Sequence, residues 1–206
     1  MTNQAVTVVW FRRDLRVHDH AALYHALMQD RAVLPLFIFD TNILDSLPET
    51  DARVSFIYNR LLVMRQILQQ HGADLLVYHD TPLAAFSHLL QTLRVEAVYT
   101  NEDYEPYARQ RDAGIADVLN QHHIPFHTYT DHVRFHPNQV CKEDGQPYTV
   151  FTPFAKNWKR LFMQDTLPAY PSETQLSRLL KTTFPFPSLS SLGFLSQPVH
   201  VPAANL

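Results

Sequence analysis

The amino-acid sequence predicts an α/β fold: a five-stranded parallel sheet with helices on both faces, followed by a proline-rich linker or tail. Short apolar runs alternate with helical patterns from residue 6 to about residue 130. Strand–helix–strand units of this kind build parallel sheets through right-handed crossovers. Beyond residue 165 prolines become frequent and periodic apolar positions become few. We therefore expect an α/β domain over residues 1–165 and a linker or tail over residues 166–206.

The predicted strands are five runs rich in β-branched and aromatic residues. They are expected at residues 6–11, 33–39, 75–78, 97–100 and 125–129. The first reads V-T-V-V-W-F, which is typical of a strand that is buried on both faces. Pro35 should weaken the pairing of the second strand at one point, because proline has no N–H to donate. The periodicity does not give the order of the strands.

Helices are predicted after each of the first four strands. Asp19 is the expected N-cap of the first helix, at about residues 20–29, since a short carboxylate can accept from the free N–H groups of a first turn. The second helix, at about residues 51–71, should end at Gly72, which suits a C-terminal cap. Its expected buried stripe consists of Val54, Ile57, Leu61, Met64 and Leu68.

The third predicted helix begins at Pro82, and the fourth covers about residues 106–122. A turn at Asp144-Gly145 and a short helix over residues 152–162 are expected after the sheet. The expected inner faces are Leu83, Phe86, Leu90 and Leu93 in the third helix, and Ile115, Val118 and Leu119 in the fourth.

Composition restricts the function classes. The formal net charge of −3, from 17 Lys+Arg and 20 Asp+Glu, disfavours direct binding of nucleic acid by this chain alone. The four glycines are too far apart to form the phosphate loops of dehydrogenases or NTPases. Neither a membrane-spanning run nor a secretory signal is recognisable, and Cys141 is the single cysteine. We therefore expect a cytoplasmic protein without membrane association.

Several motifs carry a family resemblance. The segment V-W-F-R-R-D-L-R-V-H-D, from Val9 to Asp19, resembles the opening of photolyases and cryptochromes. Further matching segments are L-F-I-F-D over residues 36–40, N-E-D-Y-E-P-Y-A over residues 101–108 together with Arg111-Asp112, and Y-T-V-F-T-P-F over residues 148–154. The chain thus resembles the amino-terminal, Rossmann-like domain of the DNA photolyase and cryptochrome family.

The resemblance implies a function. Members of this family repair ultraviolet-induced pyrimidine dimers with light and reduced FAD, or sense blue light with the same flavin. In them FAD and the DNA contacts belong to a helical domain that follows the amino-terminal one, which often carries a second, light-harvesting chromophore. The resemblance implies the antenna and scaffold domain of a deoxyribodipyrimidine photolyase, with no catalytic residue of its own. Its implied partners are the FAD-binding domain and, through that domain, damaged DNA.

Two alternatives stay open at this point. The first is the same domain of a cryptochrome-type photoreceptor. The second is a stand-alone nucleotide-binding α/β domain, against which the missing glycine loops count. A further expectation is that the isolated chain self-associates or folds its tail back over the sheet domain, because aromatic residues after the sheet have no evident core of their own.

The candidate site follows from the strand order that the family implies. Ligands of open parallel sheets sit beyond the carboxyl ends of the strands where the order reverses, here between the first and fourth strands. Aromatic walls with a few polar groups suit a planar heteroaromatic chromophore. The candidate residues are Arg12, Arg13, Asp14, Phe37, Phe39, Asp40, Asn101, Glu102 and Asp103. The alternative is that Arg12, Asp14 and Arg16 pair internally or with the helical domain.

One departure from the family pattern reduces the number of chromophores expected in this site. Folate-binding photolyases carry an adjacent Asn-Glu pair early in the fourth helix, where this chain has Tyr107-Ala108. A deazaflavin or a flavin is therefore expected rather than a folate, and Asp103 and the aromatic residues of the second strand match that pattern. The absence of any antenna is the alternative. No metal site is expected, because the 12 histidines lack the spacing of zinc ligands.

Overall fold

The computed structural model describes residues 4–166 and 168–199. The five strands are β1 (Val6–Phe11), β2 (Ala32–Asp40), β3 (Leu76–Asp80), β4 (Val95–Asn101) and β5 (Phe126–Tyr129). The α-helices are α1 (Ala21–Leu27), α2 (Thr41–Leu44), α3 (Ala52–Gln70), α4 (Pro82–Thr92), α5 (Pro106–Gln121) and α6 (Phe151–Gln164). Short 3₁₀ segments lie at Pro137–Gln139, Ser172–Arg178 and Ser190–Leu192.

All neighbouring strands are parallel, and their order is β3-β2-β1-β4-β5. This confirms the predicted α/β class with a five-stranded parallel sheet. The order reverses between β1 and β4, so the loops that follow these two strands begin side by side at the carboxyl edge. Pro35 lies inside β2, opposite Val9 of β1. The four-residue helix α2, directly after β2, was not predicted.

Alternating side chains divide the core into two layers. Val9 and Phe11 of β1 point to the face covered by α1, α3 and the tail. Val8 and Trp10 point to the opposite face, which α4 and α5 cover. Helices therefore cover both faces of the sheet, as the apolar runs predicted.

The predicted cap of α1 was wrong. His20 is the N-cap, and its Nδ1 accepts a hydrogen bond from the Leu23 backbone N–H over 3.0 Å. Asp19 lies one residue too early and has a left-handed backbone, with φ of 46°. Its carboxylate instead accepts from the Tyr170 backbone N–H, over 3.0 Å. Gly72 follows α3 with φ of 72°, which agrees with its predicted place at the C-terminal end of that helix. Asp51, for which no capping role was predicted, is the N-cap of α3.

The predicted inner face of α4 was partly wrong. Leu83 is 50% exposed, and the buried positions are Pro82, Ala85, Phe86 and Leu89. Because α4 begins at Pro82, the stripe at spacings of three and four starts there, and Leu83 is rotated about 100° away from it. In α3, the predicted residues Val54, Leu61, Met64 and Leu68 are buried and Ile57 packs partly against them. In α5, Ile115 and Leu119 are buried, whereas Val118 is half-buried.

The tail wraps around the sheet. The Leu180 backbone N–H donates to the Val33 carbonyl over 2.8 Å, and the Phe184 N–H donates to the Asp74 carboxylate over 3.1 Å. Core residues contributed by the tail are Leu176, Leu179, Leu180, Leu192 and Phe194. The proposed boundary at residue 165 stays a prediction.

Candidate functional site

A cavity of about 240 Å³ opens at the carboxyl edge of the sheet, next to the ends of β1 and β2. We call it the crevice. Six of the nine candidate residues line it: Arg12, Arg13, Phe37, Phe39, Asp40 and Asp103. Further walls come from Trp10, Ile43, Leu44, Ile57, Pro82 and Arg111. The crevice therefore combines aromatic and aliphatic walls with three guanidinium groups and two carboxylates.

Local structure explains why the chain supplies these groups here. β1 ends at Phe11, so Arg12 and Arg13 emerge directly at the carboxyl edge. Phe37 and Phe39 are two residues apart in β2, so their side chains point to the same face of the sheet. Their rings meet edge to face with centroids 4.9 Å apart. Asp40 ends β2 and caps α2, because its Oδ1 accepts from the Asn42 backbone N–H over 3.0 Å.

Two guanidinium groups lie against the indole ring of Trp10. The Cζ atoms of Arg12 and Arg111 are 5.1 Å and 4.9 Å from its ring centroid, within the range of cation–π contacts. Asp112 holds both arginines: it accepts from Arg12 Nη1 at 2.6 Å and from Arg111 Nε at 3.0 Å. Burial lowers the pKa of Arg12, although the charge of Asp112 opposes this.

Arg111 retains hydrogen-bonding capacity. Its Nη2 is buried and is 2.9 Å from Asp112 Oδ1, but among the described residues it has no acceptor in hydrogen-bond geometry. A buried donor without an acceptor is unusual in a folded protein. Arg111 also lines the crevice, so its guanidinium group borders the space that a ligand there would occupy.

A hydrogen bond between Tyr107 and Asp40 ties α5 to the end of β2. Tyr107 Oη donates to Asp40 Oδ2 over 2.5 Å, and the Asn42 side-chain amide donates to Tyr107 Oη over 3.3 Å. Burial raises the pKa of the Tyr107 hydroxyl, and its hydrogen bond to the negative Asp40 raises it further. The hydroxyl is therefore protonated at neutral pH and serves as a donor. This is the place where the chain departs from the folate-type sequence.

Asp14 and Asn101 lie behind the crevice wall. The Asp14 side chain is 1% exposed and accepts from the Arg12 backbone N–H at 2.8 Å and the Asn101 amide at 2.7 Å. Its Oδ2 is also 2.9 Å from His20 Nε2 and 3.9 Å from His132 Nε2, the latter too far for a hydrogen bond. Burial alone would raise the pKa of Asp14, but these neighbours outweigh burial and hold it well below its usual range.

Arg16 is part of the same internal network. Its Nη2 is 2.8 Å from Asp131 Oδ2, which also accepts from the Asn101 amide over 2.8 Å. The internal pairing considered as an alternative therefore exists for Asp14 and Arg16. Arg12 both pairs internally with Asp112 and lines the crevice.

Glu102 lies on the other side of the β1–β4 junction. It accepts from the hydroxyls of Thr128 and Thr130, over 3.2 Å and 2.9 Å. It lines a more polar cavity of about 400 Å³, the β5-side cavity, together with His132, His136 and Asn138. Asp103 lines this cavity as well as the crevice. The nine candidate residues are thus divided among the crevice, the buried network and the β5-side cavity.

Sequence reasoning did not include Trp10, Pro82 or Arg111 in the candidate site. Trp10 belongs to the first strand, where its apolar character predicted only core packing. Arg111 lies five residues into α5, and its approach to the crevice depends on how that helix crosses the sheet. A signal was available, because Arg111 is part of the segment that resembles the family.

Two further properties concern the whole described part of the chain. Within residues 4–166 and 168–199, no group of three or more His, Cys, Asp or Glu side chains could hold a metal ion. In the same ranges, no helix has both the length and the apolar character needed to cross a membrane.

Comparison with known proteins identifies relatives. A family model described as DNA photolyase matches residues 7–172. The deoxyribodipyrimidine photo-lyase of Synechococcus sp. strain PCC 6301 is 35% identical over 199 residues, which is 92% of this chain and 40% of that protein. An uncharacterized 31.6 kDa protein of another Synechococcus strain is 36% identical over 185 residues, or 90% of this chain and 65% of that protein. The chain therefore spans less than two thirds of these relatives.

Solved structures agree with the fold. An archaeal photolyase from Sulfolobus tokodaii superimposes with a TM-score of 0.65 at 31% identity, over 73% of this chain and 34% of that one. That structure is described as containing two FAD molecules, with an implied novel light-harvesting cofactor. A class III photolyase from Agrobacterium tumefaciens has the same fold, with a TM-score of 0.73 at 24% identity over 92% of this chain and 38% of that one. The match over residues 7–172, which includes the sheet and the crevice, shows that this chain belongs to the DNA photolyase family.

Proposed function

We propose that this chain is the antenna and scaffold domain of a light-dependent deoxyribodipyrimidine photolyase, and that its crevice holds a planar light-harvesting chromophore. The observation that carries the proposal is the crevice itself. It lies beside the strand-order reversal and is lined by Trp10, Phe37, Phe39 and Arg111, whose Nη2 has no acceptor among the residues that the structure describes. The relatives named as photo-lyases support the repair function, and they favour it over a photoreceptor role.

The residues present suit a flavin or a deazaflavin. Ile43, which is 45% exposed, and the half-buried Ile57 offer apolar surface to a fused ring system, and the nearly buried Phe37, Phe39 and Trp10 form the wall behind them. The guanidinium group of Arg111 is available to an oxygen on the edge of the ring. When bound, such a chromophore would absorb light. The protein's part is to hold the ring in one orientation and to exclude water from it. The photolyase from Sulfolobus tokodaii, with its two FAD molecules, supports this chemical class.

Catalysis and DNA binding are assigned to a separate FAD-binding helical domain. No residue of this chain is proposed as catalytic. The aromatic side of α6 is a suitable contact surface for that domain, because Phe151 is 77% exposed and Phe162 is also exposed. Damaged DNA would be contacted through the helical domain only, in agreement with the net charge of −3 on this chain.

The proposal can be tested by equilibrium dialysis of the purified chain against three ligands: an 8-hydroxy-5-deazaflavin, riboflavin and a methenyl-folate. We expect the deazaflavin or riboflavin to bind with one site per chain and the folate to bind much more weakly. We also expect the chain to repair no thymine dimers under blue light. Failure of both ring systems to bind would refute the antenna role, and measurable repair would refute the scaffold assignment.

A further inference from the structure

A second cavity lies directly against the crevice. It has a volume of about 350 Å³ and lies between the beginnings of α4 and α5. Pro82 and Arg111 line both this side cavity and the crevice. The two cavities are therefore neighbouring parts of one groove along the carboxyl edge of the sheet.

The Tyr107–Asp40 hydrogen bond lies between the two parts. Asp40 lines the crevice, whereas Tyr107 and Asn42 line the side cavity. Asp40 is buried and fixed by capping α2, but Tyr107 is 39% exposed in the first turn of α5. The tyrosine can rotate toward solvent at the expense of its hydrogen bonds to Asp40 and Asn42. Tyr107 is thus the movable member of the residue pair that separates the crevice from the side cavity.

The volumes of the two cavities indicate that the Tyr107–Asp40 hydrogen bond affects which ligands fit. Small-molecule sites usually measure about 300–1,000 Å³. The crevice, at about 240 Å³, falls below this range, whereas the crevice and the side cavity joined together fall within it. The crevice alone suits a bare fused ring, and a ring that carries a long polar chain needs both parts. At the junction, Arg111 lines both parts and places a positive guanidinium group beside that chain.

We propose that Tyr107 is the gate that sets the size of ligand the crevice accepts. With Tyr107 bonded to Asp40, the site takes the ring system alone. With that bond open, the groove takes a ring that carries a phosphate-bearing chain, as in a flavin nucleotide. This inference rests on the proposed function, because it assumes that the crevice binds the ring of a chromophore.

Two ligands that share a ring system but differ in length provide the test. Lumichrome is a bare three-ring compound, and FAD carries a related ring on a long diphosphate chain. Tyr107→Phe keeps the aromatic ring but removes the hydrogen bond that FAD must break. We expect this variant to bind FAD about tenfold more tightly than the wild type does, with lumichrome affinity unchanged within about twofold. Tyr107→Ala should strengthen FAD binding at least as much.

The matched control is Tyr104→Phe. Tyr104 lies three residues earlier, is 48% exposed and lines the β5-side cavity, so its hydroxyl should not affect either ligand. Equilibrium dialysis gives all affinities, and far-UV circular dichroism checks that each variant is folded. If lumichrome binds but both Tyr107 variants leave the ratio of FAD to lumichrome affinity unchanged, the gate is refuted while the antenna role stands. If lumichrome binds to neither the wild type nor any variant, both are refuted.

Discussion

Replacement of Asp14 by alanine should lower the free energy of unfolding by about 3–5 kcal/mol. The magnitude follows from the contacts that would be lost. The carboxylate is 1% exposed and accepts from the Arg12 backbone N–H and the Asn101 amide at 2.8 Å and 2.7 Å, with His20 Nε2 at 2.9 Å. A buried donor left without its acceptor costs about 1–3 kcal/mol. Asp14→Ala leaves three donors without this acceptor: the Arg12 N–H, the Asn101 amide and His20 Nε2. The Asn101 amide keeps its hydrogen bond to Asp131, which reduces its share of the loss. Together these contributions give the stated range.

Urea unfolding at pH 7, followed by circular dichroism, measures this loss. With a slope of about 2 kcal/mol per molar urea, the midpoint should fall by roughly 1.5–2.5 M. Asp14→Asn retains one acceptor oxygen and should lose only about half as much. Asp117→Asn is the control, because Asp117 is exposed on α5, and it should change stability by less than about 0.5 kcal/mol.

The contribution of Asp14 should also depend on pH. Its pKa in the folded protein lies well below the value of about 3.9 found in unfolded chains. Between those two pKa values the unfolded chain binds more protons than the folded one, so stability falls as the pH falls. The difference between the urea midpoints of the wild type and Asp14→Asn should be largest above about pH 5 and should decrease below about pH 4. A shift under 0.5 M for Asp14→Ala at pH 7, or a difference that widens in acid, would refute the assigned network.

Three further predictions concern the cap, the tail and α6. His20→Ala should lower the free energy of unfolding by more than about 1 kcal/mol in urea melts, because the variant loses the N-cap of α1. Asp19→Asn should lower it by less, because asparagine adopts a positive φ readily. Leu176→Ala should cost about 2–5 kcal/mol in the same assay, because this tail residue is buried in the core; a loss below 1 kcal/mol would mean that the tail is not packed as described. The isolated chain should self-associate in sedimentation experiments through the exposed Phe151 and Met163, and a double serine substitution should abolish this; a wild type that stays monomeric at all concentrations would contradict it.

The strands and the sheet class could be predicted because the signal is local and repeated. β1 and β2 are nearly continuous apolar runs, and burial on both faces leaves few other structures for such runs. The edge strands β3 and β5 are shorter and less buried, and their aromatic and β-branched residues indicate them. The cap of α1 could not be predicted in this way. Asp19 has the better capping side chain, but its carboxylate is occupied by the Tyr170 backbone N–H, from a part of the chain about 150 residues away. A tertiary contact thus overrides the local preference, and His20 takes its place.

The candidate site was predictable only where a strand end supplies it. Phe37, Phe39 and Asp40 reach the crevice because β2 ends there, and the alternation along a strand fixes their directions. Arg111 could not be assigned in the same way, since its position depends on the angle at which α5 crosses the sheet. Its side chain reaches the crevice by lying over Trp10, which the sequence presents only as a core residue.

The loop after β1 shows why neighbouring residues of one motif have different roles. Arg12 and Arg13 line the crevice, whereas Asp14 turns inward and accepts from the Arg12 backbone N–H. The same carboxylate binds the Asn101 amide at the end of β4, so it connects the two loops between which the strand order reverses. Arg12 makes a parallel connection, since its guanidinium also donates to the Asn101 carbonyl. The buried network therefore fixes the backbone from which the arginines project, and loss of Asp14 should disorder the crevice wall as well as destabilise the fold.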